Sequence, residues 1–191
     1  MISHSESCKY CKKKFFEFLC AIYGDVKREY DVNIPAKLMD YKNEKHFDIL
    51  SEIYGRLCSY RGYNDFVKIK KIRPCDFYVM SENRIIELDE GQHFTKARSI
   101  SLQCYEKIDL GFDIKRWISL CDNLNRHDNN PENRDEQRAW YDSLRDYASL
   151  ITNGKPTIRV FSKEYVWCSM NVNDESIDKF KRVIAACVQE K

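Results

Sequence analysis

Three carboxylates between Pro74 and Phe94 have the types and spacing to do chemistry. Asp76 opens one apolar segment, 75–80. Glu87 and Asp89 sit two apart near the end of a second, 84–89, and the polar stretch Ser81, Glu82 and Asn83 reads as the hairpin turn between them. Side chains alternate across a strand, so Glu87 and Asp89 share one face while Ile86 and Leu88 take the other. Pairing the two strands would bring Asp76 toward the same acids. Carboxylates converging from two strands are a common cradle for a hard divalent cation such as Mg²⁺. Gly91, Gln92 and His93 follow directly and add a bend and two polar groups.

Residue types alone leave three readings open. In a metal-dependent phosphodiesterase the acids hold Mg²⁺, which polarises the phosphate and acidifies the attacking water. In a glycosidase they do acid–base work. Glu87 and Asp89 would lie ~6–7 Å apart by strand rise, which permits this, but no aromatic-lined groove is legible. In the structural reading they pair with neighbouring cations. Lys68, Lys70, Lys71 and Arg73 lead into the acidic stretch, and Lys96 and Arg98 follow it. Basic runs flanking an acidic cluster suit a nucleic-acid backbone around a metal site. Solvated surface is the alternative for each of these side chains.

The elements that must position these groups follow from periodicity. Phe15, Phe16, Leu19, Cys20, Ile22 and Tyr23 predict a helix over 12–24, on which Glu17 lies off the apolar stripe. Alternation predicts a strand over 25–33. Phe47, Leu50, Ile53, Tyr54, Leu57 and Cys58 predict a helix over 44–60, with Asn43 as its cap. A short basic strand is expected over 66–72. Helices are expected over 96–107, 113–125 and 134–151, the last with Trp140, Leu144 and Tyr147 inward. Strands at 156–161 and 165–168 and a helix from Asp174 close the chain. The order predicts an α/β domain with a mixed β-sheet flanked by helices.

Length and composition set outer bounds. A chain of 191 residues with 43% hydrophobic and 13% aromatic content suits one domain with a real core. A net charge of +2 does not by itself announce a polyanion partner. With no apolar run long enough for a membrane span and no basic-then-apolar leader, the chain reads as soluble and intracellular, in cytoplasm, nucleoid or nucleus, with no membrane partner. Its nine cysteines are scattered, as small buried hydrophobes of a reducing compartment are. Only Cys8 and Cys11 have metal-ligand spacing. A structural Zn²⁺ there would need further ligands, for which His4, Cys20 or Cys75 are the candidates. A plain thiol pair at a helix start is the alternative.

Asp76-Phe77, then Ile86-Glu87-Leu88-Asp89-Glu90-Gly91-Gln92-His93, resemble the PD-(D/E)xK nuclease superfamily, most nearly the branch around the very-short-patch repair endonuclease. Arg134, Asp135 and Arg138 at the start of a helix, Gly154 before Ile158-Arg159-Val160, and Glu17 on the first helix fit the same pattern. The resemblance implies a restriction-endonuclease-like fold and a Mg²⁺- or Mn²⁺-dependent endonuclease acting on DNA, in a branch where homodimers are common. It implies Asp76, Glu87, Asp89 and the Leu88 carbonyl as metal ligands, with Gln92, His93 and Glu17 completing the catalytic set. The superfamily's lysine, two residues after the strand acid, is Asp89 here. Residues 1–191 then form a single nuclease-like domain, with segments 36–70 and 97–133 as insertions. A nucleic-acid-binding module that keeps the fold without cleavage, or an interaction subunit of a larger complex, are the rival expectations.

Overall fold

An apolar stripe of Cys11, Phe15, Phe18 and Leu19 forms helix α1, Lys9–Tyr23, which stops at Gly24 with φ +76°. Strand β1, Val26–Tyr30, follows at once. In this computed structural model, which describes residue 5 and residues 7–105 and 110–188, the remaining strands are β2 (Cys75–Val79), β3 (Arg84–Asp89) and β4 (Ile158–Phe161). They make one four-stranded sheet in the order β1-β2-β3-β4. β1, β2 and β3 form an antiparallel meander, and β4 runs parallel to β3. The chain is a mixed α/β fold, as its sequence predicts.

Each sheet face has its own core. Phe77, Val79, Ile86, Leu88, Ile158 and Val160 meet α1 and the last helix, α7 (Asp174–Cys187). Phe15 packs 5.4 Å from Phe77 and 5.5 Å from Trp167, and Phe18 stacks 4.9 Å from Phe180. Aromatic pairs of this kind contribute about 0.5–1.5 kcal/mol beyond their buried area, and together they set the rotation of α1 on the sheet. On the opposite face Cys75, Tyr78 and Ile85 meet the helices α2 (Phe47–Arg61), α3 (Lys96–Leu102), α4 (Ile114–Leu124), α5 (Arg134–Asp146) and α6 (Ala148–Thr152). Both segments expected as insertions contribute to this face, through Leu50, Ile53 and Leu57 and through Trp117 and Cys121.

Several local expectations are corrected. Residues 66–72 form no strand, only a bridge between Pro35 and Lys71. The bridge is closed by the Ala36 N–H on the Lys70 carbonyl at 2.9 Å and the Ile72 N–H on the Ile34 carbonyl at 3.0 Å, and Pro74, two residues past Ile72, lacks the N–H that would carry the pairing on. The expected strand at 165–168 is a single 3₁₀ turn, Trp167–Ser169, that buries Trp167. The long helix 134–151 breaks at Tyr147, where the Arg145 carbonyl accepts from Thr157 Oγ1 at 2.6 Å and from the Tyr147 N–H. α2 starts after His46 rather than at Asn43. α3 ends at Leu102, and the last part of its predicted extension, 106–107, lies outside the described residues. At Gly154, a Cβ would sit 1.9 Å from the Asn83 carbonyl oxygen, so this turn passes over the β2–β3 hairpin only without a side chain. Among the described residues no helix is long and apolar enough to cross a membrane.

Candidate functional site

The β2–β3 register pairs Phe77 with Ile86, so the next step along the ladder sets Asp76 beside Glu87 on the face opposite α1's core. Asp76 Oδ2 accepts from the Leu88 amide at 3.1 Å, which locks its side chain across the two strands. Its Oδ1 lies 2.5 Å from Lys12 Nζ, delivered from the first turns of α1. Glu87 points at α5, where Arg145 Nε lies 3.1 Å from its Oε1. The angles are not those of a hydrogen bond, and Oε1 is buried without a hydrogen-bond partner. Burial, with the Asp76 carboxylate adding to it against the pull of Arg145, pushes the Glu87 carboxyl up to about 7.

These groups line a cleft of about 430 Å³. Its wall carries the acids Asp76, Glu87, Glu90 and Asp142 and the cations Lys12, Arg73, Arg134, Arg138 and Arg145. Gln92 and His93 also line it. Gln92 is held by Arg138, which donates to its carbonyl at 3.0 Å and to its Oε1 at 3.2 Å. His93 Nδ1 lies 2.8 Å from Asp142 Oδ2. Burial works against the imidazolium, but the Asp142 and Asp89 carboxylates beside it raise its pKa on balance. The same contact, with Arg159 and Arg98, carries Asp142 well below the usual carboxylate range against its own burial.

Asp89 is not in the cleft. Strand alternation does put it on Glu87's face, but there the face is roofed by α4 and α5. Asp89 is 2% exposed; Oδ2 accepts from Trp117 Nε1 at 2.9 Å and Oδ1 from Arg159 Nη1 at 2.7 Å. Arg159 also donates to Asp146 Oδ1 at 2.6 Å and to the Asp142 carbonyl at 3.1 Å. Arg98, expected as a nucleic-acid contact, is 1% exposed and pairs with Asp146 and Tyr105. In this buried network two arginines face Asp89, Asp142 and Asp146. Arg145 Nη1 also lies 3.9 Å from Asp142 Oδ1, and the Asp142 and Asp89 carboxylates favour the charged form of His93.

The other expected residues scatter. Glu17 pairs with Lys14 at 2.5 Å, a turn beyond Lys12 on α1, and does not line the cleft. Lys68 pairs with Asp65 and Lys71 with Asp31 at the surface, and Lys70 is exposed. Lys96 lies 3.4 Å from Asp122. Arg73 alone of the basic runs reaches the cleft. Lys12, Asp142 and Arg145 were not anticipated. For Asp142 and Arg145 the signal is spacing: with Arg138 and Asp146 they recur at three and four along one amphipathic helix, which is also the pattern of a solvated face; nothing in the sequence marks Lys12.

A second group lies at the start of α1. The sulfurs of Cys8, Cys11 and Cys168 lie within 4.8 Å of one another, a set able to hold a metal ion. Cys20 and Cys75 are not part of it, and His4 lies outside the described residues. Comparison of the chain with protein-family models, with curated proteins and with solved structures finds no match.

Proposed function

We propose that this protein is a metal-dependent endonuclease that hydrolyses DNA phosphodiester bonds. The reading rests on one observation: Asp76 and Glu87 face one cleft from adjacent strands, beside Lys12, with a buried carboxylate oxygen of Glu87 left without a hydrogen bond. It agrees with the resemblance to PD-(D/E)xK nucleases carried by these two acids and their strands. The donor set suits a hard divalent ion, Mg²⁺ or Mn²⁺, held by Asp76, Glu87 and the Leu88 carbonyl. A cation there would also offset the burial and the Asp76 repulsion that raise the Glu87 pKa. Asp89, committed to Arg159 and Trp117, is not a ligand in this reading. The bound ion would supply Lewis-acid polarisation of the phosphoryl oxygen and a more acidic water.

The chain's own groups do the rest. Lys12 takes the place of the lysine missing at position 89: its ammonium, beside Asp76, orients the attacking water and balances charge on the phosphate. Arg73, Arg134 and Arg138 pair with the phosphates on either side of the scissile bond. His93, its Nδ1 held by Asp142, offers Nε2 to the phosphate or the leaving oxygen. The soft thiol trio has no part in this chemistry; its donors suit Zn²⁺ rather than Mg²⁺.

One observation favours a second reading, a nucleic-acid-binding module without cleavage: Lys12 and Arg145 already lie against Asp76 and Glu87. Incubation of purified protein with supercoiled and linear DNA, with Mg²⁺ or Mn²⁺ and with EDTA, separates the two. Metal-dependent nicking that is lost in Asp76→Asn and Glu87→Gln supports the nuclease. Identical behaviour of wild type and Asp76→Asn on DNA and RNA sinks it. DNA binding with no Mn²⁺ affinity in the acidic site favours the binding module.

A further inference from the structure

We propose that Cys8, Cys11 and Cys168 form a zinc site that ties the first turn of α1 to the turn after β4. Cys8 caps α1 and Cys11 follows three residues later, so both sulfurs leave the same side of one helical turn. Cys168 comes from the Trp167–Ser169 turn, 157 residues away from Cys11 in sequence. The three sulfurs lie within 4.8 Å of one another. Around a tetrahedral zinc with bonds near 2.3 Å, sulfurs sit about 3.8 Å apart, so a closing movement of about 1 Å or less completes the cage.

A second observation points the same way. The Cys168 amide donates to Cys11 Sγ at 3.3 Å. An N–H directed at a sulfur is the kind of outer contact that orients a metal-bound thiolate. A disulfide would consume two of the three thiols and strand the third. The trio runs from buried Cys11 through half-buried Cys8 to exposed Cys168, which places the ion near the surface. Thiolate donors select a soft or borderline ion, so zinc binds here and magnesium does not. The consequence is mechanical. Phe15 and Phe18 seat the middle of α1, and the zinc would hold its first turn, where Lys12 follows Cys11. The proposal does not depend on the nuclease reading.

Metal content of the full chain, purified under reducing conditions, loaded with Zn²⁺ and dialysed, tests it. One zinc per chain is expected, and Co²⁺ in its place should give thiolate-to-metal charge-transfer absorption. Cys168→Ser and Cys8→Ser should each weaken binding at least about tenfold, while Cys20→Ser, outside the trio, should bind as wild type does. Cys168 is exposed, so serine there leaves the packing intact, and circular dichroism checks this. A chain with no stoichiometric zinc, cobalt binding without thiolate bands, or full retention of metal by Cys168→Ser each overturns the proposal. Loss of cleavage by Asp76→Asn with zinc retained would leave it standing.

Discussion

Arg159 on β4 holds Asp89 on β3 at 2.7 Å, in a parallel pair where neither side chain reaches water. The contact divides two acids that sequence places together: Glu87 faces the cleft, and Asp89 belongs to the core. Asp89→Ala should therefore destabilise the fold by about 3–5 kcal/mol, since it strands a buried guanidinium and the Trp117 N–H. Asp76→Asn, at a half-buried site, should cost less than about 1 kcal/mol yet abolish cleavage. Urea unfolding midpoints beside cleavage rates make the comparison. An Asp89→Ala protein as stable as wild type, but inactive, would return Asp89 to the metal site.

Lys12 should matter to turnover more than to folding. Its ammonium is partly solvent-exposed and its partner Asp76 keeps the Leu88 amide. Lys12→Met is expected to lower kcat by roughly 10²–10³, the range for loss of one preorganised charge in a site. KM should change little and the urea midpoint should hold. Lys12→Arg should recover part of the rate. A fall confined to KM would make Lys12 a binding contact only.

Glu87 sets a pH dependence for cation binding. Its carboxyl, at about 7 without metal, must be ionised to act as a ligand. Mn²⁺ affinity, measured by calorimetry, should rise about tenfold per pH unit below 7 and level off above it. Glu87→Gln should flatten the profile and weaken binding throughout. A profile flat from pH 5.5 to 8.5 in wild type would place the cation elsewhere.

His93 contributes stability with the opposite slope. Its folded pKa is raised above the ordinary value of 6.5, so its contribution is complete below 6.5 and fades as pH climbs through the folded value. Asp142, held below 3.8, adds no slope in that window. Glu87, also raised, does. The difference between wild-type and His93→Gln unfolding free energies should therefore hold below about pH 6.5 and shrink as the pH climbs above it.

Nucleic-acid binding should read out the arginines of the cleft rather than the lysine run. Arg134→Ala and Arg138→Ala should each lower the slope of log affinity against log salt by about 1. Lys68→Ala should change it little, since Lys68 is paired with Asp65 at the surface. The reverse pattern would move the contact surface to residues 68–73.

The mixed sheet and the shared face of its strand acids are legible in the residue pattern. Alternation over 75–80 and 84–89, with the turn between, carries the β2–β3 hairpin and the approach of Asp76 to Glu87, because strand periodicity and turn chemistry are local; the register itself is read from the structure. The shared face of Glu87 and Asp89 follows from the same rule and holds. Helices α1, α2, α4 and α5 were legible from their apolar stripes, within a few residues at the ends.

What tertiary structure decided is which of those groups meet solvent. Asp89 lies on the expected face, but Trp117 and Arg159 cover it, and they stand 28 and 70 residues away. Arg98 sits in a basic run and is buried against Asp146, 48 residues on. Lys12 meets Asp76 across 64 residues and Cys168 meets Cys11 across 157. Charge and thiol chemistry depend on partners and burial, not on neighbours in the chain. Periodicity can aim a side chain at a face; only the packing of distant elements decides whether that face is a cleft or a core.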